Sequence, residues 1–120
     1  MPSDPLNIEK LGATEQLGIL CLHGPLITEN VFSFLHAVRR EDRAESVVLD
    51  LTEVPYIDSS GLGSLVSACV SRQKAGRRIA LSGVNDRVFH LFEVTRTDGL
   101  FLIFSTTDEA ITALSGAAQA

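Results

Sequence analysis

Residues 46–75 constrain this chain more than any other stretch. Residues 46–51 read SVVLDL, β-branched and mostly apolar, the make-up of a strand packed on a pleated surface. From Ser60 to Ala75 the apolar residues Leu62, Leu65, Val66, Cys69 and Val70 recur at i, i+3, i+4, i+7 and i+8. That spacing covers one face of a 3.6-residue period and predicts an amphipathic helix. Arg72 and Lys74 fall in its last turn, where cations complement the helix dipole, and Gly76 stands where a glycine ends a helix.

The flanking sequence extends this strand-to-helix pattern in both directions. Residues 6–12 predict a weak strand and residues 16–24 (QLGILCLHG) a stronger one, apolar on both faces, as covered or central strands are. Thr28 can cap a helix through Arg40 in which Val31, Leu35 and Val38 repeat. Residues 78–83 (RIALSG) predict a strand. Asn85 or Asp86 can cap a helix carrying Val88, Leu91, Phe92 and Thr95. Residues 100–104 predict a final strand. Thr106 or Thr107 starts a last helix, with Asp108 and Glu109 in its first turn and Ile111 and Leu114 pointing inward.

The order β-β-α-β-α-β-α-β-α predicts an α/β fold. Its alternating part favours right-handed crossovers between parallel strands, while the opening pair can be antiparallel. The expected architecture is a small mixed sheet of about four to five strands with about four helices, packed mainly on one face. The 120 residues suit one domain with a core over residues 6–114 and a frayed tail over 115–120.

Charge and cysteine usage exclude several functions. A net charge of −5 argues against general affinity for nucleic acid or anionic lipid, and the cations of residues 72–78 read as a solvated helix end and strand start. Cys21 and Cys69 fit no metal spacing and read as small buried hydrophobes. His23, His36 and His90 are scattered over separate elements. There is no P-loop and no nucleophile elbow, so neither catalysis nor a metal or cofactor is expected. Residues 1–5 do not open a signal peptide and no apolar run spans a bilayer, which predicts a cytoplasmic protein with no membrane insertion.

One segment remains, VPYIDSSGLG over residues 54–63, which joins the best strand to the best helix. Asp58, Ser59 and Ser60 lie at the helix start. Gly61 and Gly63 are poor helix formers, so something approaches the backbone closely or the turn is tight. A capping turn explains the polar residues, with Asp58 or Ser59 accepting from a first-turn amide. A hydroxyl at a helix N-terminus is also a good place for a phosphate, because free amides and the dipole favour negative charge there.

VVLDLTEVPYIDSSGLGSL resembles the signature of STAS domains in bacterial anti-sigma factor antagonists. AGRRIALSGVNDRV and LFEVTRTDGLF resemble the family's following segments, the latter its L-F-E-x-T-G-x-D-x-L-F run with Arg96 and Thr97 as departures. The likeness spans most of residues 47–101. It implies a non-enzymatic partner switch: the unphosphorylated protein binds an anti-sigma factor with serine kinase activity, the phosphorylated form lets go, and a serine phosphatase resets it. By this resemblance Ser59 is the phosphoacceptor and Asp58 the adjacent acid, acting as a cap or as a guide for the hydroxyl. Asp58 and Ser59, with Ser60, Gly61, Leu62 and Gly63, would form the docking surface. The family often carries an acid in a G-x-x-D pattern after the second strand; here the run is Gly24, Pro25, Leu26, Ile27, with Glu29 two residues on. The departure at Ile27 favours an alternative, a STAS module of a transporter or sensory complex acting without phosphorylation. A third reading is a binder of a nucleotide or lipid at the sheet edge.

Overall fold

The structure, a computed structural model, describes residues 6–11 and 14–119, with side chains as far as Ser115. Five strands lie side by side in sequence order: β1 (Asn7–Leu11), β2 (Leu17–His23), β3 (Ser46–Glu53), β4 (Arg78–Ser82) and β5 (Ile103–Phe104). β1 runs antiparallel to β2, with Leu11 opposite Ile19, and the other pairs are parallel. Among the described residues the α-helices are α1 (Val31–Arg39), α2 (Ser59–Lys74), α3 (Asp86–Val94) and α4 (Thr107–Gln119). This is the mixed sheet expected from the element order.

The alternation of side chains along the strands explains why β3 is apolar throughout. Val47, Leu49 and Leu51 join Leu22 and Leu81 on one face, packed against Phe34 and Val38 of α1, Leu65 and Cys69 of α2, and Val88 and Phe92 of α3. Val48 points the other way and packs with Ile19 and Ala80 beneath Ala110 and Leu114 of α4. Three helices thus cover one face and one covers the other, so a central strand has no solvent side.

Several local expectations shift. α1 starts at Val31, because Thr28–Asn30 forms a 3-10 turn. Asn30 is buried there: its Oδ1 accepts from the Ile27 amide at 2.9 Å and its Nδ2 donates to the Pro25 carbonyl at 2.9 Å. Phe34 and Val38 anchor α1, with Leu35 only half-buried. α2 begins at Ser59, one residue earlier than its periodicity suggests. Thr95 is no core residue; it ends α3, donating its hydroxyl to the Leu91 carbonyl at 2.7 Å. The last strand shortens to two residues because Asp98–Leu100 turns as a 3-10 helix. α4 runs to Gln119. Gly12, the expected end of the first strand, lies outside the described residues, as do residues 1–5 and Ala120.

Two corrections concern polar burial. Cys21 is half-buried, its thiol 3.5 Å from Asp50 Oδ2; burial and that carboxylate push its pKa up to about 11. Cys69 is buried as expected, and desolvation pushes its thiol up to about 12, so neither sulfur is a thiolate at neutral pH. Arg72 is not solvated: it is 4% exposed. Its guanidinium donates to the carbonyls of Arg78 (3.1 Å), Glu41 (3.0 Å) and Ala44 (2.7 Å). These bonds pin the end of α2 to the segment entering β3 and to the start of β4.

Candidate functional site

The 54–63 segment is shaped by a second loop lying against it. Between β2 and α1, the Leu26 amide donates to the Tyr56 carbonyl at 3.2 Å, and the Asp58 amide donates to the Leu26 carbonyl at 3.2 Å. Leu26 and Ile57 form an isolated parallel bridge, and both side chains are buried. The loop between β3 and α2 is therefore a small extension of the sheet, which fixes where the helix starts.

Asp58 caps that helix. Its Oδ1 accepts from the Gly61 amide at 2.8 Å. Its Oδ2 accepts from the Thr28 amide at 2.9 Å, and the Thr28 hydroxyl lies 3.1 Å away. The Gly61 amide, followed by the Thr28 groups, holds the Asp58 carboxyl below the usual carboxylate range despite the small cost of burial. The Thr28 hydroxyl also lies 2.9 Å from Ser60 Oγ, so its single proton is shared between two acceptors. Thr28 was expected to cap the next helix; it serves this turn instead.

The two glycines do different work. A side chain on Gly61 would collide with the Leu26 carbonyl oxygen, so the close approach expected there comes from this chain's own backbone. Among the described residues nothing beyond its own helix lies within 4 Å of the place a Gly63 side chain would take. Among the six residues singled out in sequence, Ser59 and Gly63 are exposed, Asp58 and Ser60 are intermediate, and Gly61 and Leu62 are buried beneath them. Ser59 is the first helical residue, and its hydroxyl makes no hydrogen bond among the described residues. Ile27 is half-buried beside the turn and Glu29 is exposed; neither is hydrogen-bonded to the serines.

Neighbouring groups complete the surface: Asn85 and Leu91 were expected at the start and on the apolar face of α3, whereas Tyr56, Arg87 and Val94 were not singled out. Asn85 caps α3 by accepting from the Val88 amide at 2.7 Å, and its Nδ2 donates to the carbonyls of Val54 and Pro55, both at 3.2 Å. Arg87 stacks on Tyr56, 5.0 Å from its ring centroid, at the mouth of a shallow hollow of about 210 Å³ that Leu91 and Val94 also line. At the opposite edge of the sheet a groove of about 650 Å³ runs between β1 and α1 over Ile8 and Leu20, with Arg40 and Lys10 at its rim; Lys10 pairs with Glu41 at 3.2 Å. Among the described residues no three His, Cys, Asp or Glu side chains converge as metal ligands, and no helix is long and apolar enough to cross a membrane.

Comparison with known proteins places this geometry. Residues 9–110 match the family model described as STAS domain. The chain belongs to the STAS domain family. An anti-sigma-B factor antagonist of Listeria monocytogenes serovar 1/2a is 49% identical over 53 residues, which are 42% of this chain and 46% of that protein. The chain thus spans about half the length of such relatives. Among solved structures, the unphosphorylated anti-sigma factor antagonist SpoIIAA superposes with a TM-score of 0.77 at 17% identity, covering 92% of this chain and 97% of that one. The murine Solute Carrier 26 family member A9 anion transporter contains the same fold, with a TM-score of 0.69 at 20% identity over 84% of this chain and 18% of that one. At these identities the two superpositions show a shared fold.

Proposed function

We propose that this STAS domain is an anti-sigma factor antagonist working in the cytoplasm as a non-enzymatic partner switch. Its unphosphorylated form binds an anti-sigma factor with serine kinase activity; phosphorylation of Ser59 releases it, and a serine phosphatase restores it. The observation that carries this reading is the state of Ser59: exposed, without a hydrogen bond from its hydroxyl among the described residues, and set on the first residue of a capped helix. A phosphate of roughly −1.5 to −2 charges there meets the positive end of the helix dipole, so the fold tolerates it.

Release follows from electrostatics. The docking surface is Ser59 and Gly63, flanked by Asp58 and Ser60, with Gly61 and Leu62 setting its shape from below. Asp58 is already ionised there. Burying a dianion beside it in a fitted interface costs desolvation and like-charge repulsion. Even about 3 kcal/mol lost weakens binding roughly a hundredfold, with no large movement of the domain.

A second reading is favoured by the apolar Ile27: the same helix face docks within a transporter or sensory complex without being phosphorylated. One experiment separates the two. The purified chain is mixed with the anti-sigma factor kinase of its source organism and ATP, and phosphate is mapped by mass spectrometry. The switch predicts a single site at Ser59, lost in Ser59→Ala, and binding weakened roughly a hundredfold by Ser59→Asp. Equal binding by wild type and Ser59→Asp would favour the second reading.

A further inference from the structure

We propose that Thr28 selects which of the two adjacent serines takes the phosphate. The inference rests on the phosphorylation reading above and specifies how that site is regulated. Ser59 and Ser60 carry the same alcohol one residue apart, but their surroundings differ. Ser60 Oγ lies 2.9 Å from the Thr28 hydroxyl and is intermediate in burial; Ser59 is exposed and its hydroxyl has no partner among the described residues. Phosphoryl transfer needs a serine oxygen aligned with the γ-phosphorus of ATP and a base for its proton. Ser60 must break its contact with Thr28 and rotate outward before it can align. Ser59 need only be approached.

The same contacts make Asp58 a poor base, because each hydrogen bond to its carboxylate favours the ionised form. Its Oδ1 is occupied by the Gly61 amide, and its Oδ2 by the Thr28 amide and hydroxyl. In the transfer, a bond forms between Ser59 Oγ and the γ-phosphorus, the bond to the bridging oxygen breaks, ADP leaves, and the serine proton passes to a base on the kinase. Ile27 offers no carboxylate for that proton. Asp58 and Thr28 together are positioning residues: the first holds the helix start and the second holds Asp58 and Ser60 in place.

Thr28→Val removes the hydroxyl while keeping the backbone amide on Asp58, and Thr28→Ser restores the hydroxyl. With the anti-sigma factor kinase and ATP, wild type and Thr28→Ser carry phosphate on Ser59, while in Thr28→Val the ratio of Ser60 to Ser59 phosphate rises about two- to tenfold. Ser59→Ala stays unmodified, and Ser59→Ala combined with Thr28→Val accepts phosphate on Ser60. A readout without kinase is the titration of the Asp58 carboxyl by NMR, which moves upward in Thr28→Val and not in Thr28→Ser, with circular dichroism checking the fold. Phosphate on Ser59 in the same ratio in wild type and Thr28→Val overturns the selection alone. No phosphate on the wild type overturns both this inference and the switch. An unmoved Asp58 titration overturns the clamp whatever the kinase does.

Discussion

The two ends of α2 are held by opposite means. At its start, Asp58 and Thr28 satisfy the helix through exposed or half-exposed hydrogen bonds, and Ser59 is exposed. At its finish, the Arg72 side chain reaches into the protein and satisfies three carbonyls, two through buried hydrogen bonds and one, at Arg78, through a part-buried one. A charged guanidinium with good donor geometry stabilises only if those acceptors stay in place, so this end is rigid. Hydrogen bonds that water can replace contribute little individually. One helix therefore carries a water-exposed start and a buried anchor at its finish.

The contrast can be broken most directly at the anchor. Arg72→Met should lower unfolding free energy by about 3–5 kcal/mol in urea titrations, since it leaves buried carbonyls without donors. Arg72→Lys should recover only part of that, because a compact ammonium cannot span three acceptors in a fork. A loss under about 1 kcal/mol would show that the two ends are not held differently.

Next in size is Gly61→Ala, expected to cost about 2–3 kcal/mol because its methyl group meets the Leu26 backbone. Gly63→Ala, in open space two residues on, should instead stabilise by up to about 1 kcal/mol. Opposite signs in thermal melts would show that the start of α2 is tight underneath and open on top.

Asp58→Ala should cost about 1 kcal/mol, the worth of an N-cap. Its folded pKa is depressed below the ordinary 3.8, so its contribution is present above that value and is lost as pH falls through the folded pKa. Wild type and Asp58→Ala should therefore differ in urea midpoint at neutral pH and converge in strong acid. Smallest is Ser59→Asp, expected to change stability by no more than about 0.5 kcal/mol while weakening partner binding. A large loss of stability there would remove the distinction between surface and anchor.

Much of this was legible in advance, and the reason is locality. The helix cap at Asp58 involves an amide three residues away, and the period of Leu62, Leu65 and Cys69 is a property of one segment. The roles of Thr28 and Arg72 were not legible. Thr28 looked like a cap for its own helix, yet its hydroxyl contacts lie 30 and 32 residues away. Arg72 looked like any cation in a last helical turn, yet two of its acceptors lie 28 and 31 residues back. Gly61 was rightly read as a place of close approach, but the sequence did not say that the approaching group was the Leu26 carbonyl.

By itself, then, the sequence determined the order of strands and helices, their apolar faces, and the polar turn at residues 58–60 that marks where α2 begins. These follow from periodicity and from capping, which act within a few residues. Only the tertiary structure decided that Arg72 is an anchor, that Gly61 is covered, and that Thr28 reaches across to Asp58 and Ser60. Those contacts exist because the sheet lays the loop after β2 beside the loop after β3, and no local pattern records which distant backbone will be its neighbour.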